Sequence, residues 1–209
     1  MTILTTHVGS LPRPKIVSDL LFKREKDEEY NQQHFEDVIT KSVEEVVNKQ
    51  LEVGVDIISD GEMSKISYAT YVKDRYNGFA GDSERNPPQD LEKFPNYMKK
   101  IADSGGTPTY SRPCCVSEIS SKKNNDLSND IKNLLNASKK LNHNKIFMNS
   151  ASPGVISLFL SNSYYSNRNE YLDAIASAMQ EEYETIVKSG IKLQLDCLLY
   201  TSPSPRDPI

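Results

Sequence analysis

Apolar side chains recur at three- and four-residue steps from Phe35 through Val38, Ile39, Val43, Val46 and Val47 to Leu51. Glu36, Asp37, Lys41, Glu44, Glu45 and Lys49 fall mostly off that line, so the spacing predicts an amphipathic helix with one core-facing stripe. Gly54 is placed to end it, because glycine adopts the left-handed closing turn without steric cost. The next residues, Val55-Asp56-Ile57-Ile58-Ser59-Asp60, predict a short strand that opens onto Gly61-Glu62. The same order returns later. Leu172, Ile175, Ala176, Met179, Tyr183, Ile186 and Val187 form a second stripe, Gly190 follows it, and Ile191-Lys192-Leu193-Gln194-Leu195-Asp196 alternates as a strand. Two αβ connections of equal length thus deliver Asp60 and Asp196 to strand C-termini, the end that carries the site in parallel α/β folds.

Three more strands are predicted, at Ile3–Val8 before Gly9-Ser10, at Arg112–Ser117 and at Lys145–Ser150, with a helix around Ile131, Leu134, Leu135 and Leu141. About five strands with helical material between them fit the rhythm of a (β/α) barrel or a doubly wound sheet. Pro153-Gly154 and the stretch from Asn162 to Asn167 are expected to be loops, and Gly78 to Gly106 a long irregular excursion over one face. Residues 1–197 then form one α/β domain. The tail, residues 198–209, holds Pro203, Pro205 and Pro208 and no helical pattern; it resembles translated sequencing-adapter read-through and is expected to be disordered and non-native. The natural reading frame is expected to continue past Asp196 or Cys197.

Composition narrows the classes of function. With 25 Lys+Arg against 29 Asp+Glu the net charge is −4, without the basic face that nucleic-acid binding needs. No apolar run approaches the roughly 18 residues of a membrane span, and the N-terminus lacks a signal peptide's basic and apolar regions, so a cytoplasmic protein is expected. There are 3 cysteines, Cys114 and Cys115 adjacent, which is no disulfide framework. Cys-x-x-Cys, His-x-x-x-His and His-x-Cys spacings are all missing, so no metal site is expected from this chain by itself.

Four motifs carry the chemistry: Thr5-Thr6-His7-Val8-Gly9-Ser10-Leu11-Pro12-Arg13-Pro14, Ile58-Ser59-Asp60-Gly61-Glu62, Ser152-Pro153-Gly154 and Leu193-Gln194-Leu195-Asp196. In this order, over roughly residues 2 to 197, they resemble the catalytic barrel of the cobalamin-independent methionine synthase family in its single-barrel form, of which this is the N-terminal part. The resemblance implies a TIM (β/α)8 barrel, here truncated after about five strands. It implies methyl transfer from 5-methyltetrahydrofolate to the thiol of homocysteine, with Zn2+ and without cobalamin. The family's zinc ligands, a His-x-Cys pair, a glutamate and a further cysteine, are implied to lie beyond this chain, which by itself is then expected to be inactive and to offer no identified catalytic residue.

For substrate binding the resemblance implies Ser10 at the first turn, where hydroxyl and N–H groups meet a carboxylate, and Glu62 and Asp196 as acids paired with the substrate ammonium. Competing readings stand beside each. Gly9-Ser10 also fits a plain turn, Glu62 a helix N-terminal acid and Asp60-Gly61 an ordinary turn. His7 is a further substrate candidate or a satisfied structural histidine, and Arg13 a carboxylate partner or a solvated arginine. Arg112 and Phe159 are the folate candidates, although Pro113 separates Arg112 from Cys114 and Phe159 also suits core packing. The cysteines suit small buried hydrophobic positions. The partners implied are small molecules, not nucleic acid or membrane. Alternative activities are zinc-dependent alkyl transfer to another thiol such as coenzyme M, which has no ammonium for Glu62 and Asp196, and a non-catalytic binding domain.

Overall fold

A computed structural model describes residues 3–67, 69–81, 93–103, 112–139, 141 and 145–196. Helix α1 spans Lys15–Glu25 and α2 Gln32–Glu52, the latter begun by Asn31, whose side chain accepts the His34 N–H at 2.9 Å. That cap satisfies one of the donors a helix N-terminus leaves without an intrahelical partner. Phe35, Ile39, Val43 and Val47 are buried as the stripe predicts, whereas Leu51, at the end of the helix, is exposed. Gly54 follows in the left-handed region (φ 81°).

The chain then gives helix α3 (Val72–Arg75), strand β1 (Tyr76–Ala80), helix α4 (Pro95–Asp103), strand β2 (Cys114–Ser121) and helix α5 (Asp126–Ala137). Strand β3 (Phe147–Ala151), helix α6 (Pro153–Phe159), helix α7 (Arg168–Lys188) and strand β4 (Lys192–Asp196) follow. Strands β3 and β4 are parallel, with Asn149 opposite Gln194 and Ala151 opposite Asp196. Ile58 joins the other edge of β3 through a parallel bridge to Ile146. The N-terminal segment lies outside Ile58's neighbours: the Asp56 and Ile57 N–H groups both donate to Thr5 O, at 3.2 and 3.1 Å. Four segments therefore lie side by side in chain order, and every residue of β3 is buried. The architecture is α/β.

Several expectations are corrected. Among the described residues the array holds four segments instead of about five, because Cys114–Ser121 pairs antiparallel with β1 in a separate two-stranded sheet. An apolar run does not specify its partner, and here the partner emerged from the stretch expected to be irregular. Gly78 sits at the register irregularity of that pair, with φ 102° and Glu118 O only 2.9 Å from where a Cβ would stand. Ile3–Val8 forms no regular strand, since Thr5 and Thr6 fasten it to Asp56 and Ile57 largely through side chains. Pro153-Gly154 opens helix α6 and not a loop: the Ser152 hydroxyl accepts the Val155 N–H at 3.3 Å, and proline suits a first helical position. Val187, beyond the core at the end of α7, is exposed. The tail, residues 198–209, and Cys197 lie outside the described residues.

One buried cluster packs Val17, Leu21, Ile39 and Val43 of α1 and α2 against Ile58, Ile146 and Met148. A second joins Tyr71, Ile156, Tyr171, Ile175 and Met179 behind Ala151. The two clusters support the array from its helical side and leave its C-terminal end to polar residues. Among the described residues no helix is long and apolar enough to cross a membrane.

Candidate functional site

Val8, Gly9 and Ser10, then Asp60-Gly61-Glu62, then Asn149, and finally Gln194 and Asp196 meet at one end of the array. Val8 O is the hub. It accepts the Asn149 side-chain amide at 3.2 Å and the Gln194 side-chain amide at 2.6 Å. The same Asn149 Nδ2 donates to Glu62 Oε1 at 2.8 Å, and Gln194 Nε2 lies 3.4 Å from Asp196 Oδ1. Two amides opposite one another in the β3–β4 register thus tie each carboxylate to the first turn. Gly9 lies against this arrangement so closely that a Cβ would stand 2.5 Å from Asn149 Nδ2 and 2.8 Å from Glu62 Oε1.

Glu62 is buried and holds a left-handed backbone conformation (φ 57°), which is sterically unfavourable for any residue with a Cβ. The surroundings enforce it. Asp60 Oδ1 accepts the Glu62 N–H at 3.0 Å, and Arg13 donates to Glu62 O at 3.0 Å and to Lys65 O at 2.7 Å. Lys65, itself buried, donates to Asn149 O at 2.5 Å and lies 4.6 Å from the centre of the Tyr71 ring. Burial lifts the Glu62 carboxyl above its ordinary range, a rise that nearby Lys65 and the bond from Asn149 reduce but do not cancel. Burial also lifts Asp196, although its bond from Gln194 and the charge of Lys65 act in the opposite direction. Glu62 Oε2 and Asn149 Oδ1 are buried without a hydrogen-bond partner. Buried acceptors normally find donors, so two orphans at either end of one hydrogen bond mark a place built for a donor-rich group.

The residues singled out in the sequence divide into groups. Glu62, Asp196 and the Gly9-Ser10 turn come together, with Ser10 exposed at the rim. Arg13 is next to them, but its described hydrogen bonds go to main-chain carbonyls. His7 points into the supporting layer: its Nε2 lies 2.8 Å from Gln50 Oε1 and 3.3 Å from Ser59 Oγ, and its ring packs 5.6 Å from Phe147. Arg112 and Phe159 meet each other, the guanidinium 5.2 Å from the ring centre. Asn149, Gln194 and Lys65 were missed. Gln194 carried a signal, since it is two positions before Asp196 on an alternating strand and so shares its face.

The zinc that the resemblance implies finds no fitting donor set here. Among the described residues no group of three or more His, Cys, Asp or Glu side chains is arranged to hold a metal ion. Cys114 Sγ is 3.2 Å from Ser161 O and 3.0 Å from Ser163 Oγ, Cys115 is wholly buried, and His7 Nε2 is engaged as above.

Comparison with known proteins agrees with the motifs. A family model described as the catalytic domain of cobalamin-independent synthase matches residues 3–86. The methionine synthase of Sulfolobus acidocaldarius is 27% identical over 198 residues, covering 94% of this chain and 52% of that protein. The methionine synthase of Saccharolobus solfataricus is 23% identical over 194 residues, covering 92% and 52%. Among solved structures, a B12-independent methionine synthase from Shewanella sp. W3-18-1 in complex with selenomethionine superposes with a TM-score of 0.59 at 21% identity, over 80% of this chain and 43% of that one. A Listeria monocytogenes structure assigned to the vitamin-B12 independent methionine synthases gives 0.63 at 19% identity, over 100% and 57%. The chain spans about half the length of the curated relatives it matches. The family resemblance carried by the four motifs is therefore borne out.

Proposed function

We propose that this chain, a relative of the cobalamin-independent methionine synthases, is the amino-acid-holding part of a thiol methyltransferase built on a TIM barrel. The acceptor is homocysteine and the methyl donor a 5-methyltetrahydrofolate. Glu62 and Asp196 take the substrate ammonium, and the Gly9-Ser10 turn takes its carboxylate. The observation that carries this reading is the buried Glu62 carboxylate with Oε2 unpartnered, held beside the first turn and within electrostatic reach of Asp196. An anionic acceptor in that state suits a ligand that brings its own positive charge and donors. The Shewanella relative was solved with selenomethionine, an α-amino acid of the product's type, which supports the reading.

Methyl transfer needs the acceptor sulfur as its thiolate, and zinc supplies that in the family. No described residue group here fits the metal, so these residues bind and orient the amino-acid end only. The stacked Arg112 and Phe159 remain the candidates for the folate. The test is a calorimetric titration of the chain with L-homocysteine, L-methionine and 2-mercaptoethanesulfonate. The two amino acids should bind and the sulfonate should not. Glu62→Gln should weaken amino-acid binding by about 10- to 100-fold, the scale of one lost charged hydrogen bond. Binding of the sulfonate alone would move the assignment to another thiol. Equal amino-acid binding by Glu62→Gln would remove the ammonium role.

A further inference from the structure

We infer that Asn149 is a substrate-contacting residue that selects for a primary ammonium group, an inference that rests on the amino-acid reading of this site. The Asn149 amide has only one possible orientation. Asn149 Nδ2 donates to Val8 O and to Glu62 Oε1, and both of these atoms are acceptors. Turning the amide over would set Oδ1 against two acceptors, so the network fixes Nδ2 towards them and Oδ1 away. In that position Oδ1 is buried and has no donor. The buried Lys65 ammonium donates to the Asn149 main-chain oxygen and makes no hydrogen bond to Oδ1.

An orphan carboxylate oxygen on Glu62 and an orphan amide oxygen on Asn149 thus lie at opposite ends of one 2.8 Å hydrogen bond. The Asp196 carboxylate adds a third acceptor within the same electrostatic field. A primary ammonium carries three N–H donors in a tetrahedral spread and no acceptor, so it is the ligand group that satisfies all three without creating a new unpaired atom. A carboxylate presents only lone pairs to these oxygens and is rejected, and a hydroxyl brings one donor where three acceptors wait. Asn149 therefore contributes selectivity through a neutral acceptor, while Glu62 and Asp196 contribute the charge.

The experiment uses the full chain with three ligands: L-methionine, 3-(methylthio)propylamine, which keeps only the ammonium, and 4-(methylthio)butanoate, which keeps only the carboxylate. Asn149→Leu should lose at least tenfold in affinity for the first two and leave the third unchanged. Because that variant also removes two internal hydrogen bonds, the wild-type chain supplies an independent readout. Its Asn149 side-chain amide resonances in a 15N spectrum should shift on saturation with the amine and stay still with the butanoate. Equal losses for all three ligands, or an amide signal indifferent to the amine, would reduce Asn149 to a brace for the first turn. A wild-type chain that binds neither L-methionine nor the amine would defeat the amino-acid reading itself, and this inference with it.

Discussion

Neighbouring residues on strand β3 face two clusters of buried carboxylates that are arranged in opposite ways. Ser150 donates to Glu182 Oε1 at 2.7 Å, as does the Tyr71 hydroxyl at 2.7 Å, while Arg75 bonds Glu182 Oε2 at 2.7 Å and also bridges to Asp130. Asn149 points to Glu62, whose second oxygen has no donor. Burial acts on both glutamates alike. At Glu182 the guanidinium of Arg75 and the surrounding donors outweigh it and hold the carboxyl below its ordinary range. At Glu62 they do not, and the carboxyl stays raised. A buried charge whose every oxygen is paired serves the fold; one left incomplete has capacity for a ligand.

The strongest way to break this contrast is Arg75→Met, which strands Glu182 and Asp130 together. Removing one partner of a buried ion pair costs about 3–5 kcal/mol, so urea unfolding at pH 7 should show a loss on that scale. A loss below about 1 kcal/mol would mean that Arg75 does not support the helical side. Asp130 already bears part of the load, its carboxyl pushed up to about 6 by burial in spite of Arg75.

Glu62→Gln should do the reverse, weakening amino-acid binding at the proposed site while sparing or raising stability by about 1 kcal/mol. The dependence on pH gives the sign. Glu62 has a folded pKa above its unfolded value of 4.5, so the native state holds this proton more tightly. Its contribution to stability then falls as pH rises from 4.5 through the folded value, and the variant should gain on wild type across that window. Glu182 has a depressed folded pKa, so its contribution is present above 4.5 and lost as pH falls through the folded value. Unfolding curves for wild type, Glu62→Gln and Glu182→Gln at stepped pH would display the two slopes. Parallel curves for the two variants would erase the distinction between the clusters.

The same contrast explains what the sequence made legible. Helices α2 and α7, the glycines after them and strand β4 follow from periodicity and turn chemistry, because each depends on neighbours in the chain. Asp60 and Asp196 were visible because they close two units of equal spacing, and Glu62 through the Ile58–Glu62 motif just beyond the first of them. Asn149 was not, since a single amide in a strand has no periodic partner and gains its meaning only from Val8 O and Glu62 across the array. Glu182 shows a subtler failure. It sits three residues after Met179 and four before Ile186, squarely on the apolar stripe of α7, and that position foretold burial although its charge suggested solvent. Its partner Arg75, and Asp130 to which Arg75 also bridges, lie on other helices, beyond the reach of any local pattern. Strand β2 was found but misplaced for a related reason: local propensity specifies an extended segment, and only tertiary pairing specifies its neighbour.

Ser152 stands where the two sides meet, and it gives the smallest and most discriminating test. Its main-chain N–H donates to Asp196 O at 3.1 Å, while its hydroxyl caps α6 through the Val155 N–H. Ser152→Ala removes the cap and leaves the main-chain bond, so it should cost about 1 kcal/mol in urea unfolding and leave L-methionine affinity within about twofold of wild type. Asp196 is positioned by the strand register and by Gln194, neither of which depends on the cap of α6. If Ser152→Ala instead weakened amino-acid binding as far as Glu62→Gln does, the cap would be part of the ligand site. The two faces of β3 would then have to be treated as one coupled unit and no longer as a scaffold and a site.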